Sequence, residues 1–153
     1  MDRVINDIKD RFGYIFNPNP YPGAPRIRPI TIDVKHNLDI MGCTIIPIKI
    51  NHGPLPILGY RINNFAYLTD VKTIPETEYD KLKNLDVLAI SALRHEHHFT
   101  HLTLEESIEI IDRINPKSAY LIHMSHTLGP VEEWFKLLPK NVYPSYDGLT
   151  LEL

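Results

Sequence analysis

The sequence predicts an α/β (α+β) fold in which β-hairpins come first and strands alternating with helices follow. Two patterns carry this. From residue 28 onward the signal is β, in IRPITIDV, TIIPIKINH, LGYRI and FAYLTD, separated by Gly, Pro and Asn, the punctuation of short strands and turns. After residue 70, helix-period segments alternate with short, wholly apolar runs. That alternation points to a sheet with helices on its face.

Each element has its own reason. Val4, Ile5, Ile8 and Phe12 fall close to helical spacing over residues 2–12. NPNPYPGAP at 17–25 is a loop or strap, because repeated proline removes donors and forces its neighbours to extend. Residues 1–27 therefore read as an N-terminal helix and Pro-rich strap, and 28–153 as the main domain. In the second half, PETEYDKLKNL reads as a short helix and DVLAISAL as a buried strand. TLEESIEIIDRIN is an amphipathic helix with Thr103 and Glu106 spaced as a capping box. KSAYLIH is a second buried strand, GPVEEWFKLLP a helix and LTLEL a final strand.

Bulk properties narrow the function. A chain of 153 residues, 43% hydrophobic and 23% charged, can bury a real core as one soluble domain. A net charge of −3 gives no reason to expect nucleic acid or an anionic membrane as partner. The longest apolar runs fall well short of the roughly 20 residues that cross a bilayer, and MDRVINDIKD is no signal peptide. A cytoplasmic protein is the expectation. Cys43 is the sole cysteine, so eight histidines and the carboxylates are the only candidate metal donors.

Four of those histidines, His95, His97, His98 and His101, crowd one predicted loop. More telling is what ends each strand. IIPIKIN runs into His52, FAYLT into Asp70 and SAYLI into His123, and functional groups gather beyond the carboxyl ends of strands in such sheets. Two imidazoles and a carboxylate suit Zn²⁺, Mn²⁺ or Fe²⁺, and a carboxylate can bridge two ions. Taken singly, His52 also reads as a turn residue, Asp70 as a turn cap and His123 as a core histidine. The joint pattern favours a site.

The segments INHG, LGYRI, FAYLTDVKTIP, DVLAISALR, HLTLEES, AYLIHMSH and YDGLTLEL resemble the later half of a metallo-β-lactamase-fold hydrolase. They are most similar to the branch containing the cyclic phosphodiesterase of bacterial phosphonate degradation. The resemblance runs from about residue 17 to the C-terminus. It implies a metallo-β-lactamase-like αββα sandwich of which this chain is the C-terminal part. It also implies a binuclear hydrolase, a phosphodiesterase acting on a small cyclic or diester phosphate. His52 and His123 would each bind one metal and Asp70 would bridge them. His101, 22 residues before His123, matches a histidine that contacts substrate phosphate and acts as general acid. His95, His97 and His98 are left as loop or substrate-rim residues, and His126 as an outer partner of the site.

One departure matters. The family's H-x-H-x-D-H metal loop has no match in this sequence; HEHH has the wrong order and lacks the aspartate. The expected cofactors are two divalent ions, Zn²⁺ or Mn²⁺, in the parent enzyme, or none held by this chain alone. The expected partners are a small phosphate-ester substrate and the missing N-terminal half of the domain, or a second copy in a homodimer. Two rival readings are a non-catalytic, self-associating half-domain and a small cupin-like metal binder. Helices alternating with strands after residue 70 argue against the second.

Overall fold

Among the described residues, seven strands form one sheet in sequence order: β1 (Leu38–Ile40), β2 (Cys43–His52), β3 (Leu55–Ile62), β4 (Phe65–Leu68), β5 (Val87–Ser91), β6 (Ser118–Ile122) and β7 (Val142–Pro144). The first four pair antiparallel through tight hairpins, and β4 to β7 pair parallel. The switch follows from the connections, since a two-residue turn can only reverse the chain whereas a parallel return needs a crossover. The computed structural model describes residues 2–152 and falls into two compact units, one up to His36 and one from Asn37 onward.

In the first unit, α1 (Asp2–Arg11) buries no residue. It is followed by a 3-10 turn at Gly13–Phe16 and the Pro-rich stretch. The strand expected in IRPITIDV does not form, and residues 24–33 carry no regular structure. Pro25 and Pro29 remove ladder donors there.

In the second unit, alternation along the strands separates two faces. One carries Ile48, Ile50, Ala66, Leu68, Leu88, Ile90, Ala119, Leu121 and Val142, which pack with Leu104, Ile111 and Ile114 of α2 (Leu104–Ile114) in the core. The other carries Tyr60, Tyr67, Tyr120 and Tyr143, placed in one row by the register Tyr60↔Tyr67↔Ala89↔Tyr120↔Tyr143. Tyr67 and Tyr143 on that face remain 42% and 39% exposed.

The predicted capping box at the start of α2 is present. The Glu106 N–H donates to Thr103 Oγ1 at 3.1 Å, and the Thr103 N–H donates to Glu106 Oε2 at 2.9 Å. Two helices are shorter than their periodicity implied. PETEYDKLKNL forms a 3-10 helix at Glu76–Leu82. GPVEEWFKLLP splits into α3 (Val131–Trp134) and a 3-10 turn at Phe135–Leu137. The final strand expected in LTLEL is absent over residues 149–152, and Leu153 lies outside the described residues. The last strand is instead β7, which reaches a ladder because β6 presents its free edge. Among the described residues no helix is long and apolar enough to cross a membrane.

Candidate metal centre

The carboxyl ends of β2, β4 and β6 deliver His52, Asp70 and His123 to one edge of the sheet. Backbone hydrogen bonds sew the loops beyond them together. The Lys72 N–H donates to Asn51 O at 2.7 Å, that of Leu102 to Val71 O at 3.0 Å, and that of Ala92 to Ile122 O at 2.9 Å. Beneath them lies the fully buried Ser91. Its hydroxyl accepts from the Val71 N–H at 3.3 Å and donates to Leu68 O at 3.3 Å. Lys72 adds an ion pair to Glu106, 2.8 Å from either carboxylate oxygen, which fixes the loop after β4 to the start of α2.

Asp70 and His123 both have left-handed backbone, with φ of 59° and 57°. Among the described residues, three of the other four such non-glycine residues are asparagines, which tolerate this region. Aspartate and histidine are also among the residues that adopt this region more readily, and here it turns the chain just beyond β4 and β6.

The side chains are oriented by their partners. His52 Nδ1 faces two carbonyl oxygens, Asp70 O at 3.1 Å and Thr100 O at 3.0 Å. It must therefore carry the proton, which leaves the Nε2 lone pair bare. The Thr69 hydroxyl donates to Asp70 Oδ2 at 3.0 Å. The other oxygen, Oδ1, lies 3.4 Å from His123 Nε2 and 3.9 Å from His101 Nδ1. His101 is central: its ring centroid is 4.5 Å from that of His52 and 4.9 Å from those of His98 and His123. Its Nδ1 is buried with no hydrogen-bond partner among the described residues. Burial lowers the His101 pKa below its ordinary value. The surrounding imidazoles of His52, His123 and His98 add to this and Asp70 opposes it. His98 is lowered too, by desolvation first and then by Arg94.

This donor set fits a divalent ion of borderline hardness. The donor group whose ligand atoms all lie within 4.8 Å of one another is His52, Asp70 and His101; the predicted ligand His123 is outside that group and reaches Asp70 Oδ1 through Nε2 at 3.4 Å. A buried imidazole nitrogen without a partner is costly unless a ligand satisfies it. The structure thus brings together His52, Asp70, His123 and His101, and adds His98. It turns His95 toward α2, with Nδ1 2.7 Å from Glu105 Oε1. His97 offers its carbonyl to Arg94, and His126 lies in a 3-10 turn, His126–Leu128. Sequence reasoning missed Thr100 and Gly53. A Cβ on Gly53, at φ +59°, would stand 2.8 Å from Thr100 Cγ2, so the histidine loop rests directly on the β2–β3 turn. The Gly that follows His52 was the available signal.

Comparison with known proteins bears on the fold and the family. A family model described as the beta-lactamase superfamily domain matches residues 1–124. The crystal structure of a diphosphatase from the PhnP family superposes with a TM-score of 0.79 at 35% identity, covering 95% of this chain and 54% of that one. The metallo-beta-lactamase fold protein YhfI from Bacillus subtilis gives 0.65 at 15% identity, covering 93% and 61%. The Zn²⁺-bound PqqB from Methylobacterium extorquens gives 0.63 at 13% identity, covering 84% and 56%. The last two likenesses concern the fold alone. An octanoyltransferase of Porphyromonas gingivalis (strain ATCC BAA-308 / W83) is 38% identical over 147 residues, which are 95% of this chain and 30% of that protein. The chain thus spans about half the length of the PhnP-family diphosphatase and less than a third of the octanoyltransferase. It belongs to the beta-lactamase superfamily domain family and has the metallo-β-lactamase fold.

Proposed function

We propose that the chain forms the C-terminal portion of a binuclear metal-dependent hydrolase, a phosphodiesterase acting on a small cyclic or diester phosphate. His52, Asp70 and His123 would hold divalent metal, with Asp70 between two ions, and His101 would be the proton donor. The observation that carries the reading is the convergence of Asp70 Oδ1, His123 Nε2 and the unpartnered His101 Nδ1 at the strand ends. The 35% identity to a PhnP-family diphosphatase supports phosphate chemistry.

When bound, the metal supplies Lewis-acid polarisation of a phosphoryl oxygen and acidifies water. The chain's own residues do the rest. Carbonyls on His52 Nδ1 hold its other nitrogen ready as a ligand. Thr69 occupies one oxygen of Asp70 and leaves the other turned toward the imidazoles. His101 would act as donor in its imidazolium form, with a proton on Nδ1, and the lowering of its pKa by burial makes that form the readier acid. As a water oxygen bonds to phosphorus and the ester P–O bond breaks, the Nδ1 proton passes to the departing oxygen, and the neutral ring then takes up the proton that the water releases. A substrate oxygen beside Nδ1 also gives the buried atom its missing partner.

The test is hydrolysis of bis(p-nitrophenyl) phosphate by the full chain with Mn²⁺ or Zn²⁺. The expected result is slow, metal-dependent nitrophenolate release that disappears in Asp70→Asn. The rate is low because the chain offers no H-x-H-x-D-H ligands. Release that survives Asp70→Asn, or that does not depend on metal, contradicts the proposal.

The exposed Tyr67 and Tyr143 in the tyrosine row favour a second reading, a non-catalytic half-domain that self-associates through that face. Sedimentation equilibrium at micromolar concentration tests it, and a clean 17.7 kDa monomer removes it.

A further inference from the structure

Thr100 sits between two histidines and treats them oppositely. Its carbonyl accepts from His52 Nδ1 at 3.0 Å. Its N–H donates to His98 Nδ1 at 3.3 Å, and its hydroxyl lies 3.3 Å from the same nitrogen. A ring nitrogen that donates to a carbonyl bears a proton, whereas one that accepts an N–H does not. His52 is therefore the Nδ1–H tautomer with Nε2 bare. Neutral His98 is the reverse, with its only proton on Nε2. The two rings belong to one cluster, because both lie against His101, at 4.5 Å and 4.9 Å between centroids.

The chemistry of the two tautomers differs. A bare Nε2 is a metal ligand. An Nε2–H is a hydrogen-bond donor, and ligation through it would require removing the last ring proton. We propose that His98 is a substrate-binding residue, presenting Nε2–H to an anionic phosphoryl oxygen, and that Thr100 is the positioning residue that sorts His52 to the metal and His98 to the substrate. The proposal rests on reading the site as one for a metal-held phosphate ester. It names a further specificity group outside the ligand set.

Gln and Asn separate the two nitrogens. A Gln side-chain amide reproduces the reach of Nε2–H, and an Asn amide reaches only as far as Nδ1. The experiment titrates inorganic phosphate into the Zn²⁺-loaded full chain by calorimetry. It compares the unaltered chain with His98→Ala, His98→Asn and His98→Gln, and measures Zn²⁺ affinity in parallel. The expected result is that His98→Ala and His98→Asn bind phosphate about ten-fold more weakly or worse, while His98→Gln stays within about three-fold of the unaltered chain. Zn²⁺ affinity is unchanged throughout. Phosphate affinity unmoved by His98→Ala overturns the inference and leaves the metal reading intact. Loss of Zn²⁺ in His98→Ala also overturns it, because His98 would then be a ligand. A loaded chain that binds no phosphate at all removes both the inference and the phosphate-ester reading. Ring ¹H–¹⁵N correlation spectra of the metal-free chain give a check independent of the functional reading, and a His98 proton on Nδ1 refutes the sorting by Thr100.

Discussion

Replacing Gly53 by Ala should damage both stability and the site, and the size of each effect follows from the geometry. The backbone at Gly53 has φ +59°, a conformation that costs an L side chain about 1–2 kcal/mol. The new Cβ would stand 2.8 Å from Thr100 Cγ2 and 3.5 Å from Phe99 O. Carbon–carbon contact is comfortable at about 3.5–4.0 Å, so the Thr100 methyl must retreat by about 0.7 Å or more. Overpacking of this kind costs about 1–3 kcal/mol, for a total of about 2–5 kcal/mol. The retreat also draws the Thr100 carbonyl, 3.0 Å from His52 Nδ1, toward the limit of hydrogen bonding. Losing such an outer partner typically weakens metal binding about ten-fold or more. Thr100→Ser removes the clashing methyl and keeps the carbonyl, so a double-mutant cycle isolates the contact. In urea unfolding, Gly53→Ala/Thr100→Ser should recover about 1–3 kcal/mol relative to the additive expectation. Purely additive effects, or Zn²⁺ affinity unchanged in Gly53→Ala, refute the idea that the β2–β3 turn seats the histidine loop.

Three further outcomes are expected. Ser91→Ala strands the buried Val71 N–H and Leu68 carbonyl and should lower unfolding free energy by about 1–3 kcal/mol, read from urea titration. For Glu106, burial raises the carboxyl pKa, but Lys72 and the Thr103 N–H outweigh it and leave the group below its ordinary 4.5. Its contribution is therefore complete above about pH 4.5 and fades as pH falls through the lower folded-state value. Glu106→Gln should accordingly be less stable than the unaltered chain at about pH 7, and the gap should narrow as pH falls below about 4.5; a gap that widens in acid contradicts that sign. Asp70→Asn keeps the shape of the side chain but removes its charge, so Zn²⁺ binding followed by calorimetry should fall below detection while the urea midpoint changes little.

Much of the site was legible because strand ends are local features. His52 closes TIIPIKINH, Asp70 follows FAYL and His123 follows SAYLI, and each run is apolar enough to be read as a strand without knowing its neighbours. The capping box at Thr103 and Glu106 was legible for the same reason. Pairing is not local. LTLEL alternates as well as any true strand here but finds no ladder over residues 149–152, while Leu38–Ile40 and Val142–Pro144, too short to stand out, find one. IRPITIDV fails because its prolines deny the donors a ladder needs. The grouping of His98 with His101 and the separation of His95 toward Glu105 depend on how one loop folds back over Gly53. Spacing within RHEHHFTH could not distinguish one imidazole from another, and the backbone of Thr100, which orients two of them, has no signature in sequence.

If His52, Asp70 and His123 hold a divalent metal at the strand ends, as proposed, Zn²⁺ must reach all three together. Zn²⁺ titration of the ¹⁵N-labelled chain, followed through the histidine ring nitrogens, tests it most directly because it registers weak as well as tight binding. The Nε2 resonances of His52 and His123 should move together and saturably, EDTA should reverse the change, and Asp70→Asn should abolish it. If Zn²⁺ moves only His95, His97 or other exposed histidines, or moves His52 and His123 equally well in Asp70→Asn, the claim is contradicted.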